Sequence, residues 1–434
     1  MGNAGAKLSA LVGRTKNQLF VFILKGAGAA LAIALNVSVT RSLNLRDAGA
    51  MFMAISIITI VYALARLGFG YTTAKLVAVH YVRGDFPRLK GSVVTALEAV
   101  LASSLVFGVA MFAAPFVPAA RPIFSPELRL IIPVFALAVP VFCVGSMAAE
   151  VLKGLRRPVQ FTIIDSVAQK AVSALLIFLL ARAGGLAAAA WGYVAGIVFA
   201  AVCATILAYQ AMPLAARTVR ALHERRATYS SAAYFSVLSY GTVIGQWATP
   251  LIVGWKLSQA QSALYFAAYR TSAVVEFILI SAAAVIGPVF IKVNENEGRT
   301  ALYRTTYRTA LMTFLSAGTI AIPMLLGAYW IMRLYGPDFV HATPALRILL
   351  TAQLLAAPAG VFLYTLIALH RERLVAITTP IAVTVGLTMV MFLSEHYGLA
   401  GAAIGQSIFV VGQNLLVAIL ALTFRKRLDS RDTQ

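Results

Sequence analysis

Residues 125–140 read SPELRLIIPVFALAVP, and residues 343–358 read TPALRILLTAQLLAAP. The two stretches align without a gap, so that Pro126, Leu128, Arg129 and Pro140 meet Pro344, Leu346, Arg347 and Pro358, about half of the 434-residue chain apart. A second pair follows in the same order, with GLAAAAWG from Gly185 matching GLAGAAIG from Gly398. GAMFMAIS from Gly49 matches ALYFAAYR from Ala263 more weakly. Chance likeness among small-residue and Leu-rich segments would scatter such matches. Three of them in one order indicate that two copies of one unit have been fused.

Composition says what that unit is. Hydrophobic residues make up 60% of the chain and charged ones 12%, where a soluble domain has roughly a quarter charged. Apolar runs of about 20 residues, the length that carries a helix across about 30 Å of hydrocarbon, recur from end to end. With Gly, Pro and charge clusters as punctuation, the pattern predicts twelve spans centred near residues 29, 58, 102, 140, 171, 198, 244, 276, 315, 357, 384 and 412. The expected fold class is an all-α polytopic membrane protein, twelve transmembrane helices in two pseudo-symmetric six-helix lobes. The expected boundaries are an N-terminal lobe over residues 1–209 (spans one to six), a basic cytoplasmic linker over 210–233, and a C-terminal lobe over 234–434 (spans seven to twelve). Six is even, so both copies enter the membrane the same way round. That predicts lobes related by an axis along the membrane normal, as in transporters whose substrate sits between halves. The first run, from about Leu19 to Val39, follows Lys7, Arg14 and Lys16. It is longer than a signal-peptide core of about 7–15 residues and reads as a retained span.

A net charge of +21 invites a nucleic-acid reading. The basic residues are scattered through short loops and never form a stripe with interleaved aromatics, so no nucleic-acid partner is expected. Topology explains them: with the N-terminus inside, 24 Lys and Arg fall in cytoplasmic loops and eight outside. The positive-inside rule then puts both termini in the cytoplasm, with the chain in the cytoplasmic (inner) membrane. The linker, MPLAARTVRALHERRATYSSAAY, is expected to rest on anionic membrane lipids. Cys143 and Cys203 lie in apolar runs and read as small core residues. The chain has no His/Glu metal motif, Gly-rich phosphate loop, GxSxG elbow or CxxC, and its five histidines (His80, His223, His341, His370, His396) fall in or beside loops. No catalytic residue, metal site or cofactor is therefore expected, and the chain does not read as an enzyme.

Seven charges fall inside predicted spans: Lys25 in span one, Arg66 in span two, Glu98 in span three, Asp165 and Lys170 in span five, Arg270 and Glu276 in span eight. Each costs at least about 2.5–3.5 kcal/mol at mid-bilayer on insertion scales. Glu150, near the cytoplasmic end of span four, reads as interfacial. The plain explanation is mutual neutralisation or snorkelling to an interface. Asp165 and Lys170 are five positions apart, and Arg270 and Glu276 six, so neither pair shares a helix face as three- or four-residue spacing would allow. Partners must come from other helices. The cations Lys25, Arg66, Lys170 and Arg270, drawn from both lobes, are expected to line a wet cavity that attracts an anionic headgroup, arginine offering a fork and lysine a point charge. Glu98, Asp165 and Glu276 are the acids deep enough to carry a coupled proton or sodium ion. Tyr62, Tyr240, Trp247, Tyr265 and Tyr269 suit sugar stacking or helix packing alike.

RSLNLRDAGAMFMAISIITIVYALARLGF from Arg41, LYGPDFVHATPALRILL from Leu334 and ALYFAAYR from Ala263 together resemble the polysaccharide (Wzx-type O-antigen/exopolysaccharide) flippases of the multidrug/oligosaccharidyl-lipid/polysaccharide exporter superfamily. The resemblance implies an inner-membrane flippase moving a polyprenyl-pyrophosphate-linked oligosaccharide repeat unit from inner to outer leaflet by alternating access, for cell-surface polysaccharide biosynthesis. It implies pyrophosphate binding by cavity cations, a role carried here to Lys25, Arg66, Lys170 and Arg270, with a polysaccharide polymerase and glycosyltransferases as partners. Where relatives often carry an acid in span seven, this chain reads GQWATPLIVGWKL. A multidrug/cation antiporter of the same superfamily would gather acids around its cavity, and lipid II flippases typically have fourteen spans. Carrying about two negative charges outward gains about 2.3 kcal/mol per charge per 100 mV, so ion coupling is permitted without being required.

Overall fold

Helix follows helix through the described residues 2–429 of this computed structural model, and no strand occurs among them. Side chains are described except at 1–19, 122, 237–238, 277–285, 372–373, 376 and 424–434, so the terminal clusters Lys7, Arg14, Lys16 and Arg425, Lys426, Arg427, Arg431 lie outside the described side chains. The chain divides into two compact units, Met1–Tyr240 and Gly241–Gln434. The first holds α1 (Gly2–Ser42), α2 (Leu45–Ala65), α3 (Phe69–Arg83), α4 (Phe86–Ala113), α5 (Pro126–Gly154), α6 (Pro158–Thr162), a π-helical turn (Ile163–Ala168), α7 (Gln169–Ala211) and α8 (Leu214–Thr218). The boundary between units falls inside α9 (Arg225–Lys256); α10 (Gln259–Leu326), α11 (Ala328–Tyr335), α12 (Thr343–Gly360), α13 (Phe362–Ala368) and α14 (Glu372–Asp429) complete the second. The starts are written locally. Asn44 accepts from the Asp47 amide at 2.8 Å, Asp85 and Ser125 cap α4 and α5, and proline follows in the first turn of both.

α7, α10 and α14, at 43, 68 and 58 residues, exceed the length of one crossing. Each is broken by a glycine in a conformation closed to side-chain-bearing residues: Gly185 (φ 60, ψ −145), Gly298 (φ 80, ψ −179) and Gly398 (φ 56, ψ −134). Splitting the three helices there, and reading α2 with α3, α6 with α7, and α12 with α13 as single passes, leaves the predicted twelve crossings among the described residues.

The sequence echo is also an echo of backbone geometry. A short 3₁₀ turn precedes both proline-initiated helices, at Pro118–Ile123 before α5 and at Asp338–Ala342 before α12. α5 ends with the amides of Leu155, Arg156 and Arg157 donating to the carbonyls of Val151, Lys153 and Leu152 at 2.9, 3.1 and 2.9 Å. α13 ends with Leu369, His370 and Arg371 donating to Thr365, Ile367 and Leu366 at 3.0, 3.0 and 2.8 Å. Both are Schellman endings, with left-handed Arg156 (φ 58) and His370 (φ 55) where glycine is usual. Beyond them, Gly192 lies against the backbone of Leu176 and Ile177, and Gly405 against that of Met389 and Val390. Apolar composition alone would not reproduce hydrogen bonds, positive φ and close helix crossings at matching positions.

The segment between α8 and α9 is a fitted strap. Lys90 Nζ donates to the Arg217 and Val219 carbonyls at 2.7 and 2.9 Å, supplying the groups that the end of α8 leaves open. The Leu222 amide donates to the Pro87 carbonyl at 2.9 Å, His223 Nδ1 lies 2.9 Å from Thr95 Oγ1, and Arg88 meets Glu224 at 2.7 Å. α9 begins at Arg225, inside the stretch read from sequence as linker 210–233. The strap is thus held to the first turns of α4 by its backbone groups, His223 and Glu224, with Arg88 and Lys90 of α4 supplying the cations.

Candidate functional site

In the first unit the charges gather where α2 breaks. α2 ends at Ala65, and Leu67 (φ 47) and Gly68 (φ 74) turn the chain into α3. A Cβ at Gly68 would strike the backbone of Ala232 and Ser236 on α9, so glycine is needed there for space as well as for φ. Arg66 is the C-cap residue of α2, at the helix end that favours a cation. Its Nη1 donates to Tyr62 Oη at 2.7 Å, and its Nη2 meets Glu150 Oε1 at 3.2 Å, with side-chain exposures of 19% and 12%. Tyr62 donates onward to Ser146 Oγ at 2.6 Å and stacks on Phe142 at 4.1 Å. Glu150 is shared: Lys153 Nζ lies 3.3 Å from its other oxygen. These groups edge a cavity of about 210 Å³ whose far side carries Asp165 and Gln169. Asp165 stands on the π-helical turn, a distortion frequent at functional positions, and accepts from Ser166 Oγ at 3.3 Å.

The sequence-predicted residues fall into separate groups. Arg66 and Asp165 line one cavity. Lys170 is two residues beyond the π-helical turn and donates to the Ser166 carbonyl at 3.1 Å. Lys25, half-buried on α1, is less than a turn from Gly28, which packs directly on Ser166. Glu98 stands apart, exposed on α4 and 3.3 Å from Arg225 at the start of α9. Glu150, which the sequence places at an interface, is instead the ionic partner of Arg66. Its position on a long apolar helix shows no such role; only the three-dimensional approach of α2 and α5 does.

In the second unit Arg270 lies flat on Trp247, its guanidinium carbon 3.4 Å from the ring centroid, with Phe266 and Tyr269 rings at 5.3 Å. Glu276 lines a cavity of about 170 Å³ together with Thr242, Gln246, Gln353, Gln413 and Asn414. None of these amides was singled out from sequence. The available signal was a carboxamide inside an otherwise apolar run, where each polar group needs a partner. The described residues include no cluster of three His, Cys, Asp or Glu able to hold a metal ion.

The two cavities occupy matching places in the two copies. In the register set by the repeats, Tyr62 corresponds to Glu276, Ile197 to Val410, Ala200 to Gln413 and Ala201 to Asn414, and all eight line their own unit's cavity. One frame has been fitted twice with different chemistry. The first carries an arginine and two carboxylates; the second is rich in amides around one carboxylate.

Solved structures share this fold. A multidrug resistance transporter of the MATE family and MOP superfamily, in an inward-facing conformation, is 15% identical, with a TM-score of 0.78 over 94% of this chain and 99% of that one. The outward-facing conformation of such a transporter is 14% identical, with a TM-score of 0.64 over 96% of each chain. A MOP-superfamily transporter from Pyrococcus furiosus, described as having a binding pocket of reverse polarity that suggests a different function, is 16% identical, with a TM-score of 0.63 over 95% of each. No curated protein matches the chain. The family model described as "Polysaccharide biosynthesis protein" matches residues 15–294, well over half of the chain, and the protein belongs to that family.

Proposed function

We propose that this protein flips a polyprenyl-pyrophosphate-linked oligosaccharide from the inner to the outer leaflet of the cytoplasmic membrane by alternating access, with both termini in the cytoplasm. One observation carries the reading: a member of a polysaccharide biosynthesis family has Lys25, Arg66, Lys170 and Arg270 in stretches that its sequence marks as spans, at a cost of about 2.5–3.5 kcal/mol or more apiece at mid-bilayer. An unassisted diphosphate in hydrocarbon faces a Born cost of order tens of kcal/mol, so a flippase for it needs cations along the path. In this reading Arg66 rests on Glu150 and Tyr62 until the diphosphate replaces Glu150 as the acceptor of its fork, and Lys25 and Lys170 add charge from the neighbouring helices. Arg270 contributes the same chemistry from the second unit. Asp165 and Glu276 are the acids placed to exchange a proton or sodium ion during the cycle; Glu98, exposed and held by Arg225, is the weakest of the three. Glycosyltransferases supply the cargo and a polymerase consumes it.

The test is translocation of a fluorescent polyprenyl-diphosphate oligosaccharide in vesicles reconstituted with the full chain, alongside efflux of an organic cation. Lipid translocation that falls at least tenfold in Arg66→Ala and Lys170→Ala, with no cation efflux, is the expected result. Cation efflux without lipid translocation would establish an antiporter instead. Translocation of a lipid II analogue in preference to other glycolipids would reassign the substrate.

A further inference from the structure

We infer that the second-unit cavity is a sugar-binding subsite, which takes up one neutral, hydroxyl-rich ring of the cargo while the cations handle the diphosphate. This rests on the flippase reading above and adds to it where the sugar is recognised. The first observation is chemical. Gln246, Gln353, Gln413 and Asn414 bring four carboxamides to one intramembrane cavity, joined by Thr242 and Glu276. Gln413 Nε2 donates to Thr379 Oγ1 at 3.2 Å and Asn414 Nδ2 to the Val410 carbonyl at 2.8 Å. Each amide thereby commits one N–H to the protein and keeps a carbonyl oxygen and a second N–H for a ligand. A sugar hydroxyl both donates and accepts, so a wall of amides matches it. Glu276 accepts from hydroxyls, and among the described residues no lysine or arginine lines this cavity, unlike the first, which Arg66 lines. Tyr269 also lines the cavity.

The second observation is the internal comparison. The fold does not require the Gln413 and Asn414 amides, because the first unit builds the matching wall from Ala200 and Ala201. Polar side chains in a span are costly unless satisfied, and at these two wall positions they have been installed in one copy alone. The third is size. The cavity volume of about 170 Å³ is many times the roughly 10–15 Å³ that one ordered water needs on that measure. A bare cation would leave most of it to water, whereas the space admits a ring-sized neutral ligand. Thr242 at the rim is exposed, so the cavity communicates with its surroundings.

The test is binding to the purified full-length protein in nanodiscs. Methyl glycosides of glucose, galactose, mannose, rhamnose and N-acetylglucosamine are titrated individually and read by saturation-transfer NMR. At least one should bind saturably. Gln413→Ala combined with Asn414→Ala, which installs the residues of the first unit, should weaken it roughly tenfold or more, the scale of losing one or two hydrogen bonds. A thermal melt verifies folding, and Gln353→Ala serves as the second variant if the double change unfolds the protein. Saturable binding lost in the variants supports the subsite. No glycoside binding, binding indifferent to all three substitutions, or a site that responds to sodium alone overturns it. Glycoside binding in a protein that translocates no glycolipid would count against the flippase reading and leave the subsite standing. Translocation that proceeds with no glycoside binding would do the reverse.

Discussion

Glu150→Gln is the most informative single change, because the flippase reading predicts tighter anion binding and a purely structural reading of the Arg66 pair predicts no gain. At the observed 3.2 Å the ion pair is slightly closer than the 4 Å at which unit charges attract by about 4 kcal/mol for an effective dielectric near 20. Desolvation of side chains only 19% and 12% exposed offsets much of that. Contacting groups typically retain a coupling of about 0.5–3 kcal/mol in double-mutant cycles, and the Arg66 bond to Tyr62 at 2.7 Å survives the change. If Arg66 receives the cargo's diphosphate, Glu150 is its competitor, and a released coupling of about 1.4 kcal/mol tightens anion binding tenfold. The assay is displacement of a fluorescent polyprenyl-diphosphate analogue by inorganic pyrophosphate in wild type, Glu150→Gln, Arg66→Ala and the double variant. The expected order puts Glu150→Gln tightest, with the gain abolished when Arg66 is also removed. Turnover should slow in Glu150→Gln, because the resting partner that helps release the anion has gone. Unchanged pyrophosphate affinity in a well-folded Glu150→Gln protein, or a gain that persists without Arg66, would refute the assignment of Arg66 to the diphosphate.

Other outcomes follow from the same coordinates. A Cβ at Gly70 would fall on the Arg66 guanidinium, so Gly70→Ala should reproduce the transport defect of Arg66→Ala and add little to it in the double variant. Gly398 has open space where a Cβ would go, but its φ 56 and ψ −134 are closed to side-chain-bearing residues, so Gly398→Ala and Gly398→Asn alike should cost about 1–3 kcal/mol, read as a lower melting temperature. At Gly405 the obstacle is the backbone of Val390, and Gly405→Ala should destabilise by about 1–3 kcal/mol, read as a lower melting temperature with the first unit's tryptic pattern intact. The Arg88 amide and guanidinium hold the Asp85 carboxyl below the usual carboxylate range. Its contribution to the start of α4 is therefore complete above the ordinary carboxylate pKa of about 4 and is lost as pH falls through the lower folded value. The protection factor of the Arg88 amide should fall only in that acid window, and should not change with pH there in Asp85→Ala.

The crossings were legible because bilayer thickness imposes a length and glycine, proline and charge mark the turns. Even the merged helices α7, α10 and α14 break at Gly185, Gly298 and Gly398, residues that already punctuate the chain. The pairing of charges was legible only by exclusion. Spacing shows that Asp165 and Lys170 do not answer each other, yet nothing local says that Arg66 on α2 meets Glu150 on α5, because that meeting depends on a backbone break at Leu67 and Gly68 and on the angle at which two long helices pass. Glu98 illustrates the opposite limit: its mid-helix position on α4 suggests depth, but the strap between α8 and α9 brings Arg225 to it at an exposed edge.

The duplication makes the second cavity interpretable. A repeat detected from prolines and glycines reports what both copies must share to fold, namely helix starts, Schellman endings and close crossings. It is blind to the cavity walls, where the copies differ. Once Gly185 is set on Gly398 and Gly49 on Ala263, however, every wall position acquires an internal control in the same chain, folded under the same constraints. Ala200 and Ala201 show that small apolar residues suffice to close that wall; Gln413 and Asn414 must therefore answer a demand other than packing. The same comparison works in reverse for Arg66 and Glu150, whose counterparts in the second copy carry no such pair. Divergence between two copies of one frame thus separates residues that both copies need for the fold from residues that one cavity alone carries, and it is these that the transport and binding assays must probe.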